Sequence, residues 1–141
     1  MPPRKEIVAA ASELRLVLGQ LVRRLRREYS FPVAQATVLS RLDREGAQTT
    51  SALAAAERVR PQSMAQTISE LAADNLVERY PDPDDRRQVL IELTGEGRGR
   101  IHEDRRRREG WLAEAIAAEL TPEEQHVLIA AVPLLRRLSE S

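Results

Sequence analysis

The sequence predicts a mainly α-helical fold with one small β-hairpin. Three observations lead to this prediction. Apolar residues recur at intervals of three and four over most of the chain, two neighbouring short segments near residue 85 read as strands, and proline, threonine and glycine fall where helices would begin or end. With 141 residues, the chain is long enough to bury one core or two small lobes, but not several domains.

The composition excludes several classes of function. Because the chain contains no cysteine, it has no disulfide, thiol nucleophile or thiolate metal ligand. No apolar run is long enough to span a bilayer and the polar start MPPRKEIVAA is unlike a signal peptide, so we expect a cytoplasmic protein without a membrane partner. The formal net charge is +0, so any binding to nucleic acid must depend on local geometry.

Two helices are predicted at the start of the chain. The first runs from about residue 5 to residue 28. Its apolar residues, spaced alternately by four and three, form one stripe: Ile7, Ala11, Leu14, Leu18, Leu21 and Leu25. Such a stripe needs a partner. The second helix, residues 33–45, follows Pro32 and should end at Gly46 in a left-handed conformation.

A pair of shorter helices is predicted next. Thr49 or Thr50 can cap a helix over TSALAAAE, because a hydroxyl there accepts from the free amides of the first turn. Pro61 suits the first position of a fourth helix, PQSMAQTISELAADN. One face of this helix is apolar and carries Met64, Ile68 and Leu71. The other face is polar and carries Gln62, Ser63, Gln66 and Ser69, with Thr67 at the border.

The hairpin is predicted from residues 76–80 and from the alternation of Val89, Ile91 and Leu93. Its tip, PDPDDRRQ, combines prolines that end the pairing with aspartates that favour turns. Guanidinium groups are attracted to the negative potential of a narrow minor groove. The side chains suited to that role are Arg86 and Arg87, with Asp85 close enough to hold one of them; the alternative is an ordinary solvated turn.

Two long helices complete the prediction. One spans about residues 95–119, and the other runs from Thr121 to about residue 138. Thr121 and Glu124 match a capping box with Pro122 at the first helical position. Pro133 should kink this last helix, because it removes one backbone hydrogen bond.

The remaining polar residues do not predict an enzyme or a metal site. The run RRRRE over residues 105–109 points all round a helix and should be solvated or paired with nearby acids such as Asp104. His102 and His126 lack a second ligand at metal spacing, so we expect no metal and no other cofactor. No Ser or Thr lies near a His, and no glycine-rich loop could cradle a phosphate.

The predicted order of elements is that of a winged helix-turn-helix: a short helix, a second helix after a brief turn, then a hairpin. In this arrangement the first turns of the second helix enter the major groove. Gln62, Ser63 and Gln66 project from those turns, and Gln pairs bidentately with adenine while Ser contacts several bases. An ordinary hydrated helix face is the alternative for these residues.

Five short motifs occur in order along the chain: Leu53-Ala54, Leu71 four residues before Asn75, Leu76-Val77-Glu78-Arg79, Asp82-Pro83-Asp84-Asp85-Arg86-Arg87, and Leu93-Thr94 followed by Gly97. At these spacings the chain resembles the MarR (multiple-antibiotic-resistance regulator) family of bacterial transcription factors. The resemblance is specific over about residues 53–97. The chain departs from the family in two respects. Asn75 stands where the family usually has Gly, and the part of the chain expected to read DNA is not basic.

The resemblance implies a dimeric DNA-binding regulator, most often a repressor. Residues 1–32 and 96–141 would form a helical dimerisation region, and residues 33–95 a winged helix-turn-helix lobe. The implied partners are a pseudo-palindromic double-stranded DNA operator, a second copy of the chain and a small aromatic or lipophilic effector. Because the lobe lacks positive charge, a winged-helix protein interaction module without DNA binding is the alternative.

The resemblance also implies roles for single residues, carried over by position. Major-groove contacts would come from the fourth helix: Gln62, Ser63, Gln66 and Thr67. The wing would place Arg86 and Arg87 in the minor groove, with Asp85 orienting them. Beyond the residues that the resemblance carries over, we expect phosphate contacts at Thr49, Thr50 and Arg60, and an effector pocket at Tyr29, Phe31 and Arg108.

Overall fold

The computed structural model describes residues 1–141 and contains six helices and three short strands. In chain order the elements are α1 (Arg4–Arg26), α2 (Val33–Glu45), β1 (Gln48–Thr49), α3 (Thr50–Glu57), α4 (Pro61–Ala73), β2 (Val77–Pro81), β3 (Val89–Leu93), α5 (Gly95–Glu119) and α6 (Pro122–Ser139). This architecture confirms the predicted mainly α-helical fold with a small hairpin. The chain divides within α5 into two compact units, residues 1–105 and 106–141.

Helices α3 and α6 begin where side chains satisfy their first backbone amides. Thr49 caps α3 by accepting from the backbone N–H of Ala52 at 3.1 Å. Thr121 and Glu124 form the predicted capping box at α6: the Glu124 N–H donates to the Thr121 hydroxyl at 3.2 Å, and the Thr121 N–H donates to Glu124 Oε1 at 2.9 Å. These hydrogen bonds lower the pKa of Glu124 below its ordinary value. The predicted starts of both helices are therefore confirmed.

Three residues adopt a positive φ where the chain changes direction. Gly46 has φ 79° and ψ −164°, so its φ is positive as expected but its ψ lies outside the left-handed helical region. Arg58, between α3 and α4, has φ 55° and ψ 43°. Asn75 has φ 59°, which agrees with the expectation that Asn can stand where the family that the sequence resembles usually has Gly.

The sheet contains one strand more than predicted. β2 and β3 form the antiparallel hairpin, and β1 pairs with the other edge of β3, which gives the order β1-β3-β2. Gln48 lies opposite Ile91 in this added pairing, while Val77 lies opposite Leu93 in the hairpin. The predicted alternation in β3 holds for Ile91 and Leu93, which are buried, but Val89 near the hairpin tip is 47% exposed.

The core of the first unit lies where α2, α3 and α4 pack with the sheet and with the first turns of α5. Its fully buried large apolar side chains are Val38, Leu39, Leu53, Ile68, Leu71, Leu76, Ile91 and Ile101. Gly97 allows the start of α5 to approach the chain before β2, since a Cβ at this position would meet the carbonyl oxygen of Leu76 at 2.0 Å. The first residues of α5 are thus fixed to the lobe that carries α4 and the hairpin.

Neither terminal helix contributes a buried residue to this core. No residue of α1 or α6 is buried. The predicted apolar stripe of α1 is solvent-exposed: Leu14, Leu18 and Leu21 are 36%, 41% and 40% exposed. In the second unit, α6 leaves Val127 and Ile129 even more exposed, and it continues past Pro133 to Ser139. None of the six helices combines the length and hydropathy that a bilayer-spanning segment requires.

Candidate nucleic-acid interface

Helix α4 has one face fixed in the core and one face exposed. Met64, Ile68 and Leu71 are buried, which sets the rotation of the helix about its axis. On the opposite side Gln62, Ser63 and Gln66 are exposed, as the sequence predicted for the candidate base-reading residues; Thr67 is half-buried and donates its hydroxyl to the carbonyl of Ser63 at 3.2 Å. The exposed polar face of α4 is therefore held in place by the apolar contacts behind it.

The wing is the segment from Asp82 to Gln88, between β2 and β3. The Asp82 N–H donates to the Gln88 carbonyl at 2.9 Å, which closes the tip. The Arg87 side chain is 91% exposed. Its Nε donates to Asp85 Oδ1 at 3.1 Å, so one edge of the guanidinium is held while the rest faces solvent. Arg86 is also exposed.

A shallow cavity of about 250 Å³ lies between the wing and the start of α3. Thr50, Ser51 and Arg87 are among the residues that line it. The N-terminus of α3 and the guanidinium of Arg87 both favour phosphate. Thr49 also lines this cavity, but its hydroxyl oxygen is the cap acceptor for α3. Arg60 is exposed in the turn between α3 and α4, just before α4 begins.

The candidate effector residues lie in different environments. Phe31 is 8% exposed and belongs to the core, and the guanidinium of Arg100 lies 4.6 Å from the centre of its ring. Tyr29 is half-buried and lines a surface cavity of about 260 Å³ together with Arg41 and other residues of α2. Arg108 belongs to the second unit, where it is half-buried.

A cluster around Asp43 anchors α5 to the end of α2, and the sequence did not predict it. Arg105 donates to Asp43 Oδ2 at 3.1 Å, and His102 Nε2 lies 3.2 Å from Asp43 Oδ1. Desolvation of this carboxyl favours its neutral form, but the hydrogen bonds from Arg105 and His102 outweigh it and lower the pKa of Asp43 below its ordinary 3.8. Arg105 therefore pairs across the lobe rather than with acids on its own helix.

Asp104 is a second correction to the expected solvated run. Its side chain is fully buried, with 0% exposure. The backbone N–H of Ser30 donates to Asp104 Oδ2 at 3.0 Å, and the Ser30 hydroxyl donates to Oδ1 at 2.7 Å. The carboxylate thus fixes the turn between α1 and α2. Its position three residues after the buried Ile101 was the available sequence signal.

The fold and the two exposed elements define a class of protein. A short helix, a second helix with a polar outward face and a hairpin bearing an exposed arginine form a winged helix-turn-helix, which is a DNA-binding domain. Residues 31–89 match the model of the MarR family.

Similar proteins agree with this match over the length of the chain. An HTH-type transcriptional regulator of Mycobacterium tuberculosis is 43% identical over 131 residues, which cover 91% of each chain. The crystal structure of a Pseudomonas aeruginosa protein described as a transcriptional regulator is similar with a TM-score of 0.86 and 36% identity, over 99% of both chains. Bordetella bronchiseptica BpsR, whose DNA binding is regulated by 6-hydroxynicotinic acid, is similar with a TM-score of 0.62 and 28% identity, over 93% of both chains. The chain belongs to the MarR family and is a transcriptional regulator of that type.

Proposed function

We propose that the protein is a homodimeric repressor that places one winged lobe on each half of a pseudo-palindromic operator. The observation that carries the proposal is the outward polar face of α4, held by a buried apolar face, on the same lobe as the exposed Arg87 of the wing. A dimer reads two half-sites when its two recognition helices are about 34 to 36 Å apart, one turn of DNA.

Each part of the lobe has a separate task in this proposal. The major groove is read by α4 through Gln62, Ser63, Gln66 and Thr67. The minor groove accepts Arg86 and Arg87, and the contact from Asp85 Oδ1 to Arg87 Nε limits the orientations that the guanidinium can take. Phosphates are bound by Thr50, Arg60 and Thr49, whose hydroxyl accepts from the Ala52 N–H and keeps its own proton to donate.

Exposed apolar side chains on the terminal helices support the homodimer. Large exposed apolar patches on a soluble chain mark interaction surfaces. The exposed residues on α1 include Leu14, Leu18 and Leu21, and those on α6 include Val127 and Ile129. We therefore assign residues 1–32 and 96–141 to dimerisation and residues 33–95 to DNA reading. Light scattering coupled to gel filtration tests this assignment, and a monomer at micromolar concentration contradicts it.

A small aromatic or lipophilic effector completes the proposal. The regulation of BpsR by 6-hydroxynicotinic acid supports an aromatic acid. Tyr29 and Phe31, both in the first unit, would supply apolar walls for it. An effector that binds more tightly to a dimer whose recognition helices no longer match successive major grooves lowers operator affinity by linkage. The test is a titration of 6-hydroxynicotinic acid into the protein–DNA complex, and unchanged DNA affinity at saturation excludes this compound as the effector.

The test of DNA reading is a fluorescence anisotropy titration with the DNA upstream of the protein's own gene, against scrambled DNA, at two salt concentrations. We expect preferential, salt-sensitive binding. Replacing both Arg86 and Arg87 by alanine should weaken operator binding by roughly tenfold and leave dimerisation and helicity unchanged. Equal affinity of the double variant and the parent would remove the wing from the proposal.

One observation favours a second candidate, a protein interaction module without DNA binding. Over residues 33–95 the lobe has seven arginines against ten aspartates and glutamates. A module of this kind would show no preference for the upstream DNA over the scrambled DNA. The same titration therefore separates the two candidates.

A further inference from the structure

Three side chains form a polar chain from the reading face of α4 to α2. Glu70 lies one helical turn after Gln66. The Gln66 Nε2 lies 3.5 Å from Glu70 Oε1, and the Gln35 Nε2 of α2 donates to Glu70 Oε2 at 3.0 Å. Each carboxylate oxygen thus faces an amide from a different position in the lobe, and Gln35 ties Glu70 to a helix outside the reading face.

The chemistry of this contact selects one orientation of the Gln66 amide. A carboxylate only accepts hydrogen bonds, so it attracts the NH₂ end of a glutamine and repels the carbonyl end. The NH₂ group carries two donors, and the bond to Glu70 uses one of them. The other N–H and the carbonyl oxygen stay available together, and this donor and acceptor complement N7 and N6 of adenine in the major groove.

We propose that Glu70 is a specificity-determining positioning residue: it fixes the amide of Gln66 so that a donor and an acceptor reach one base pair in a defined order. This inference rests on the proposed function, because it requires that α4 reads bases. Glu70 also brings a negative charge close to phosphates, which opposes binding to any DNA. Glu70 therefore lowers overall affinity while it sharpens sequence preference.

Glu70→Gln tests the proposal, because it keeps the size of the side chain but can donate as well as accept. The full-length protein, the variant and Gln66→Ala are each used to select duplexes from a pool with a randomised core, and the bound DNA is sequenced. We expect Glu70→Gln to reduce the preference at one base pair of each half-site by about fivefold, which corresponds to about 1 kcal/mol for a single hydrogen bond. That base pair should be the one whose preference Gln66→Ala abolishes.

Two comparisons separate positioning from a general effect of charge. Glu78→Gln removes the same charge from an exposed position on β2 and should leave every preference unchanged. Glu70→Gln combined with Gln66→Ala should relax the preference no further than Gln66→Ala alone, because the side chain that Glu70 positions is then missing.

The outcomes distinguish this inference from the proposed function. If the unmodified protein enriches no sequence, the proposed function fails and the inference fails with it. If the unmodified protein enriches a motif but Glu70→Gln keeps its preferences, or loses preference at a base pair that Gln66→Ala does not affect, the role of Glu70 is overturned and the proposed function stands.

Discussion

Replacing Gly97 by alanine tests the close backbone approach between the start of α5 and Leu76, just before β2. A Cβ at this position would lie 2.0 Å from the carbonyl oxygen of Leu76 and 2.9 Å from its carbonyl carbon, distances that real Cβ atoms do not show. The carbonyl cannot simply rotate away, since it accepts from the Thr94 N–H at 3.1 Å. The start of α5 would have to move by more than an ångström, and Ile101, which is fully buried, would lose packing.

The expected effect is large because the favourable and unfavourable contributions differ in size. Alanine is a better helix former than glycine by about 1 kcal/mol. Overpacking costs about 1 to 3 kcal/mol, and partial loss of the Ile101 contacts adds on the order of 1 to 2 kcal/mol. We therefore expect Gly97→Ala to lower the free energy of unfolding by about 1 to 4 kcal/mol.

Gly99→Ala is the matched control, because Gly99 lies two residues further along the same helix and its added Cβ meets no atom within 4 Å. This variant should be more stable than the parent by about 0.5 to 1 kcal/mol. Urea unfolding followed by far-UV circular dichroism, at one protein concentration, measures both. Equal midpoints for the two alanine variants would refute the close approach at Gly97.

Three further predictions concern single polar groups. Thr121→Ala removes the cap of α6 and should lower the unfolding free energy by about 1 kcal/mol in urea; an unchanged midpoint would show that the helix start does not need the cap. Asp43 has a lowered pKa in the fold, so its contribution to stability is present above its ordinary 3.8 and is lost as the pH falls through the lower folded value. Asp43→Asn should therefore be less stable than the parent at neutral pH and approach the stability of the parent as the pH falls below 3.8, whereas parallel stability curves would contradict the cluster. Asp104→Ala leaves both donors of Ser30 without their acceptor and should cost about 3 kcal/mol in the same assay, and a loss below about 1 kcal/mol would mean that water replaces the carboxylate.

Helix starts were predictable from the sequence because their signals are local. The cap of Thr49, the proline at the start of α4 and the capping box of Thr121 each need only three or four consecutive residues. Strand β1 was missed because two residues cannot show an alternating pattern, and its partner in β3 lies more than 40 residues further on. Strand β1 forms only when folding brings these two residues beside β3.

The sequence predicted the exposed face of α4 but not the long-range polar contacts of Asp43 and Asp104. The exposed face of α4 follows directly from the spacing of Met64 and Ile68, since the polar side must lie opposite the buried one. The contacts of Asp43 with Arg105 and of Ser30 with Asp104 join residues 62 and 74 positions apart. No local spacing encodes such pairs, and the run of arginines in α5 concealed that one of its neighbouring acids is buried.

In the proposed function, the excess of carboxylates over guanidinium groups in residues 33–95 would affect how the protein searches a chromosome. Most DNA in a cell is a competitor that holds basic proteins through counterion release, regardless of sequence. A lobe that attracts phosphates only weakly spends less time on such sites, so a larger share of its copies is free at any moment. Occupancy of an operator would then depend on the fit of α4 and the wing rather than on the abundance of the regulator, and few molecules per cell would suffice.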